Sequence, residues 1–398
     1  MKVKYAGIYA GLREILNVLD ALLRREWGGG KYVKLFEKRL KAYFNSFGAL
    51  AVNSGSSANL LAIYTLTSWK LGERRIKPGD EVITVAACFP TTVSPIVQCG
   101  AVPVFVDIDE TLNINPDLLE SALSDKTKAV IAAHTLGNPF NIDKVKAFCE
   151  KNNLWLIEDN CDALGSEWNG RKTGTFGDLA TLSFYVPHHI TTCQGGAVIV
   201  NNPKLFKIAE SMMSWGRDCW CPANKDNTCG KRFNQDLGKL PEGYDHKYTV
   251  SHFGFNLKMS EMQAAIGSAQ IERIEEITDK RRNNYLYIGD GIYNLVSNIK
   301  GSPLAHQSPF GYSFFVKDRK KFVDSLEENG VQTRPLFSGN ITKHPAFTQQ
   351  EVNYRIVGEL PITDKVMNEL VWVGVWPGMK KKEMDYMIEM IKKFYGQN

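Results

Sequence analysis

Apolar positions along the chain follow one pattern up to about residue 258 and another beyond it. In the first part, short continuous apolar runs recur between turn signals and helical patterns: 81–87 after the turn Pro78-Gly79-Asp80, then 102–108, 128–133, 154–159, 179–185 and 196–201. Strands apolar throughout their length need cover on both faces, so the alternation predicts a mostly parallel sheet between helices. In such sheets ligands sit beyond the carboxyl ends of the strands. Residues 82–106 hold no charge, yet Pro90, Pro95, Gly100 and Pro103 break the stretch. That predicts strand, loop, short helix and strand rather than a membrane span. A helix beginning near Ser56 gathers Ala58, Leu61, Ala62, Thr65 and Leu66 on one face.

From Met259 the pattern is helical for about 35 residues, opening with Ser260-Glu261-Met262-Gln263 in capping-box spacing. Charges from Glu272 to Arg282 predict one long, partly exposed helix linking two domains. Beyond it, 313–316 and 371–374 read as strands, and 320–329 and 381–395 as helices. The expected organisation is α/β. A large domain over residues 1–258 is built on a mostly parallel central sheet; a linker helix and a smaller C-terminal α+β domain occupy 259–398.

Composition adds exclusions. The 398 residues are 43% hydrophobic and 23% charged, which is ordinary globular usage and enough for a large core without staples. A formal charge of +5, with no run of five like charges, argues against nucleic-acid binding and polybasic membrane attachment. The first twenty residues carry Lys2, Lys4, Arg13 and Glu14 and no long apolar segment, so the expected location is cytoplasmic. Eight cysteines are too few for a disulfide framework, which leaves buried thiols or metal ligands.

Three segments carry candidate chemistry. Asn53-Ser54-Gly55-Ser56-Ser57-Ala58 leads into a helix, where N–H groups and the helix dipole make a phosphate cradle or, more simply, a capped helix start. The strand 154–159 ends in Glu158-Asp159, a carboxylate that either faces a protonated pyridine nitrogen or caps the next helix. Residues 183–196 join two strands and offer Ser183, His188, His189 and Gly195-Gly196.

In this order the segments resemble the DegT-like sugar aminotransferases, which are pyridoxal phosphate enzymes of fold type I. The resemblance spans nearly the whole chain. It implies that Gly55, Ser56, Ser57 and Ser183 hold the cofactor phosphate, that Phe89 stacks on the ring and that Asp159 pairs with the pyridine nitrogen. It also implies a homodimer, with Asn256 reaching the neighbouring subunit's phosphate.

In that family a lysine stands five residues after the serine. Here the position is His188, and no lysine occurs from Thr173 to Pro203. An imidazole forms no stable Schiff base, so the cofactor is expected to be held without a covalent bond. It can, however, move protons near neutral pH. Family members with this exchange are sugar 3-dehydratases. The resemblance therefore implies pyridoxamine or pyridoxal phosphate as cofactor, a nucleotide-linked 4-keto-6-deoxyhexose as substrate, and His188 as the base. By the same resemblance Asp162 and Tyr185 flank the cofactor, and His134 and Arg334 line the pocket for the sugar or its diphosphate.

Cys161, Cys219, Cys221 and Cys229 are spaced Cys-x57-Cys-x-Cys-x7-Cys, the last three within a turn-rich loop at 214–230. Their chemistry suits zinc or an iron-sulfur cluster. The spacing is similar to that of the CDP-4-keto-6-deoxyglucose 3-dehydrase group of 3,6-dideoxyhexose and lipopolysaccharide biosynthesis. That resemblance implies a 2Fe-2S cluster on these four cysteines, fed by a separate NADH-dependent iron-sulfur flavin reductase. Cys193-Gln194 stands where the family has Gly-Glu, a lost carboxylate that bears on the base and the sugar preference. Cys193, like Cys88, Cys99 and Cys149, is expected as a small buried thiol. Two alternatives remain: a sugar 3-dehydratase that recycles its cofactor with glutamate, without a redox cluster, and a non-catalytic cofactor-binding protein stapled by zinc.

Overall fold

The computed structural model describes residues 1–219, 221, 225–236 and 238–396; residues 220 and 222–224 of the cysteine-rich segment lie outside the described residues. After α1 (Leu12–Arg24) and α2 (Lys31–Phe44) come β1 (Gly48–Val52), α3 (Gly55–Leu66), β2 (Glu81–Val85), α4 (Pro90–Gln98), β3 (Val102–Val106) and β4 (Thr127–Ala133). Then follow β5 (Trp155–Asp159), β6 (Leu179–Ser183), β7 (Gly196–Val200) and α5 (Pro203–Met213). With β10 (Arg355–Ile356) these strands form one eight-stranded sheet in the order β1-β7-β6-β5-β4-β2-β3-β10. Within it β7 alone runs against its neighbours β1 and β6.

Every residue of β1, β2, β5 and β7 is buried, as continuous apolar runs require. The pleat sends Ile83, Val130 and Leu156 into one apolar cluster and Val82, Ile131 and Ile157 into another on the opposite face. α3 is buried almost all round, including Asn59 and Ile63, so its apolar face is wider than the predicted stripe. The reason is its place between the sheet and the helices α4 and α5.

The helical stretch after Met259 is two helices rather than one. α6 (Glu261–Ile271) opens with the predicted capping box between Ser260 and Gln263. The backbone leaves helical geometry at Arg273 (φ −108°, ψ 13°) before α7 (Ile274–Ile292). Glu272 at the break is held by Arg13 and Arg39, ion pairs that no local periodicity reveals. A four-stranded antiparallel sheet follows, in which β8 (Gly311–Phe315) and β11 (Leu370–Gly374) are the long central strands and Thr333–Arg334 an edge, β9. α8 (Arg319–Glu328) and α9 (Lys381–Phe394) cover it around Phe314, Phe322 and Ile391.

α1 buries Ala21 and Glu14 but exposes Leu12, Ile15, Leu16, Leu19, Leu22 and Leu23. No described helix is long and apolar enough to cross a membrane.

Candidate active site

A cavity of about 480 Å³ opens beyond the carboxyl ends of β5 and β6. One rim is the start of α3. There Ser54 is extended, and its Oγ accepts the Ser57 N–H at 3.0 Å. Helix geometry leaves the first N–H groups without intrahelical partners, and Gly55 and Ser56 present that end to the cavity. Ser183, at the end of β6, lies against it: a Cβ on Gly55 would stand 2.5 Å from the Ser183 Cβ and 2.7 Å from its Oγ. Only glycine lets the helix start sit this close. Ser57 is not among the lining residues; its hydroxyl and N–H are both used in the cap.

Asp159 closes β5, 4% exposed, and four donors orient its carboxylate. Thr92 Oγ1 (2.7 Å) and Asn59 Nδ2 (3.0 Å) donate to Oδ2, while the Cys161 N–H (3.3 Å) and Thr181 Oγ1 (3.4 Å) donate to Oδ1. Asn59 and Thr92 had no place in the sequence reading. Asn59 stands one helical turn past Gly55, a spacing that puts it on the cradle's face and was the available signal.

His188 lies on the segment between β6 and β7, its ring centroid 5.1 Å from that of Phe310. Its Nδ1 is 3.4 Å from Asp162 Oδ1 and makes no hydrogen bond. Burial, with the nearby Arg281 charge, pulls the imidazole down to about 3. Burial and the Asp159 charge push the Asp162 carboxyl up to about 8. At neutral pH the pair is therefore a neutral imidazole beside a largely protonated carboxyl.

Tyr185 and Phe89 line the mouth, both about half exposed, with Phe89 edge-on to Phe337 at 6.4 Å. The far wall is Arg334, whose guanidinium lies 3.9 Å from the Tyr5 ring, and Trp372, edge-on to Tyr5 at 5.6 Å. Tyr5 and Trp372 carry no local sequence signal for this role.

Besides Ser57, two predicted residues lie elsewhere. His134 is fully buried and does not line the cavity: its Nε2 is 3.0 Å from Glu158 Oε2 and its ring stacks on Phe140 at 4.3 Å. Asn256 is exposed, outside this cavity, its backbone bridged to Ser214.

The four spaced cysteines do not meet. Cys161 lines the main cavity, its thiol pushed well up by burial and by Asp159 and Asp162. Cys219, Cys221 and Cys229 share a separate small recess with Arg232 and His246. There Thr228 donates to Cys221 Sγ at 3.2 Å and the Lys231 N–H to Cys229 Sγ at 3.4 Å. Among the described residues no group of three or more His, Cys, Asp or Glu is arranged to hold a metal. Cys161 is fixed by the sheet, whereas the other three belong to a turn-rich loop, and sequence spacing carries no information about that gap. Cys193 is exposed rather than buried, in a left-handed turn at φ 68°; Cys99 is half-buried, and Cys88 and Cys149 are buried as expected.

A mostly parallel sheet with a donor-lined helix start and a carboxylate at its strand ends defines a pyridoxal phosphate protein of the aminotransferase class. Residues 11–392 match the DegT/DnrJ/EryC1/StrS aminotransferase family, and the chain belongs to it. It is 47% identical to the lipopolysaccharide biosynthesis protein RfbH of Salmonella typhimurium, over 99% of this chain and 92% of that protein. It is 46% identical to the dTDP-4-dehydro-2,6-dideoxy-D-glucose 3-dehydratase of Saccharopolyspora spinosa, over 96% and 84%. Among solved structures it is similar to the GDP-4-keto-6-deoxy-D-mannose-3-dehydratase of E. coli with bound hydrated PLP. That match has a TM-score of 0.88 and 29% identity, and covers 98% of this chain and all of the other.

The residues present fit a pyridoxal or pyridoxamine phosphate group. The helix start has donors for a phosphate, the space a Gly55 side chain would take is already closed by Ser183, and Asp159 is aimed by four donors. As placed, the cysteines do not fit a four-thiolate cluster.

Proposed function

We propose that this protein is a nucleotide-sugar 3-dehydratase that uses pyridoxamine or pyridoxal phosphate to remove the carbon-3 hydroxyl of a nucleotide-linked 4-keto-6-deoxyhexose. One observation carries the reading. His188, with an unpartnered Nδ1, faces the same cavity as Gly55, Ser56 and Asp159, and no described residue lining it is a lysine. The relatives from Saccharopolyspora spinosa and E. coli, named as 3-dehydratases of such sugars, support it.

When bound, the pyridoxamine group supplies an amine for the sugar ketone and a conjugated path for electrons as the hydroxyl leaves. The chain's own residues do the rest. Gly55, Ser56 and Ser183 bind the phosphate with N–H and O–H donors. Asp159 holds the pyridine nitrogen protonated. His188, neutral at working pH, takes the departing proton, and the Asp162 carboxyl 3.4 Å from Nδ1 faces the charge that develops on the ring. Phe89 and Tyr185 flank the ring of the cofactor, and Arg334 meets the sugar or its diphosphate.

The finer reading is a CDP-linked substrate, a 2Fe-2S cluster on Cys161, Cys219, Cys221 and Cys229, and an NADH-dependent iron-sulfur flavin reductase as partner. The cysteine spacing supports it and the separation of Cys161 from the other three opposes it, so no step is assigned to a cluster. That separation favours a second reading, in which glutamate recycles the cofactor. The reading includes a cytoplasmic homodimer, supported by the apolar face of α1 and the exposed Asn256.

Anaerobic incubation with CDP-, dTDP- and GDP-4-keto-6-deoxyhexoses, with reductant or with glutamate, followed by mass spectrometry, tests these readings. Loss of water from one sugar is expected; no loss from any would overturn the function. Iron and acid-labile sulfide in the anaerobically purified protein separate the cluster from the glutamate route.

A further inference from the structure

Arg281 is a buried charge spent on main chain. It projects from α7, 1% exposed, and its hydrogen bonds go to carbonyl oxygens. Nη2 donates to Pro187 O (2.9 Å) and His188 O (3.1 Å); Nη1 donates to Phe310 O (3.2 Å) and Pro309 O (3.5 Å). Its Nε is buried without a partner. Burial pulls the guanidinium down to about 9, so it stays charged at neutral pH. An apolar side chain of this size would fill the same space without that desolvation cost.

What the charge achieves is visible in its partners. The segment from Phe184 to Thr192 closes on itself through Thr192 N–H to Phe184 O (2.9 Å) and His188 N–H to Tyr185 O (3.0 Å). Farther along, His189 Nε2 pairs with Ser308 O (2.8 Å) and the Thr191 N–H donates to Gln270 Oε1 (3.4 Å), while the carbonyls of Pro187 and His188 are left to Arg281. Arg281 grips both, and its second arm grips Phe310, whose ring packs on His188 at 5.1 Å.

We propose that Arg281 is the positioning residue for His188: one planar fork fixes the peptide that carries the imidazole and the ring that backs it. The proposal rests on His188 being the base. A lysine in its place keeps a charge but not the fork, which needs several donors in one plane.

The test compares Arg281→Lys and Arg281→Met with the parent, as full-length protein loaded with pyridoxamine phosphate. Hydrogen exchange is expected to speed up by about tenfold or more at amides 185–192 and to stay unchanged at 179–183. Turnover of the sugar identified above is expected to fall about 100-fold, with KM changed less than about twofold. Should Arg281→Met precipitate, Arg281→Lys decides alone. Unchanged exchange at 185–192, parental turnover in Arg281→Lys, or a loss shared between kcat, KM and cofactor affinity would each overturn the proposal. A parent protein that dehydrates no sugar overturns the functional reading instead, and the exchange measurement still decides on Arg281.

Discussion

Asp162 and His188 illustrate how environment, rather than residue type, sets a role. The same burial that pushes the carboxyl up to about 8 pulls the imidazole down to about 3, so at neutral pH the proton rests on Asp162 and His188 is neutral. His188→Asn retains the size and polarity but not the basicity. Its dehydration rate is expected to fall by roughly 10³-fold, with pyridoxamine phosphate affinity unchanged. Turnover and equilibrium titration of the same preparation check the two halves. That His188 lies at the cavity was legible because it stands on a loop at a strand end; its role as base is the proposal that His188→Asn tests. His134 shows the limit: it too follows a strand, yet Glu158 on the neighbouring strand turns it inward, a pairing that only strand order reveals.

Elements place these residues by close packing. The start of α3 touches Ser183 at the end of β6, and Gly55→Ala would force the two apart. Overpacking of this kind costs about 1–3 kcal/mol, which, carried into cofactor binding, is an affinity weaker by about fivefold to 150-fold. Titration of the apo-protein checks this. At the sheet edge, β10 is fastened by Arg355, which grips Glu81 through Nε (3.1 Å) and Nη2 (2.7 Å). Burial alone would raise the Glu81 carboxyl, but Arg355 and Ser124 outweigh it and hold it below its ordinary 4.5. That stabilisation is present above pH 4.5 and lost as pH falls through the lowered folded value. Arg355→Met is expected to destabilise by about 1–3 kcal/mol at neutral pH, between the surface and buried limits for ion pairs. The gap to the parent narrows below pH 4.5, as denaturant melts across that range measure. Buried strands were legible because their apolar runs are continuous. The break between α6 and α7 was not, because Arg13 and Arg39, far away in sequence, hold Glu272 there.

At the scale of the molecule, α1 leaves six large apolar side chains in solvent, an unusual cost for a stable monomer. Under the proposed homodimer that face is covered. Leu16→Glu combined with Leu23→Glu is then expected to yield monomers in sedimentation equilibrium, where the parent sediments as a dimer. The cavity also spans the molecule. Its cradle is assembled from residues 54 to 188, but its far wall pairs Tyr5 with Trp372 and Arg334. The two ends of the chain thus meet in one wall, and a protein shortened before residue 334 lacks both Arg334 and Trp372 on the side opposite the cradle.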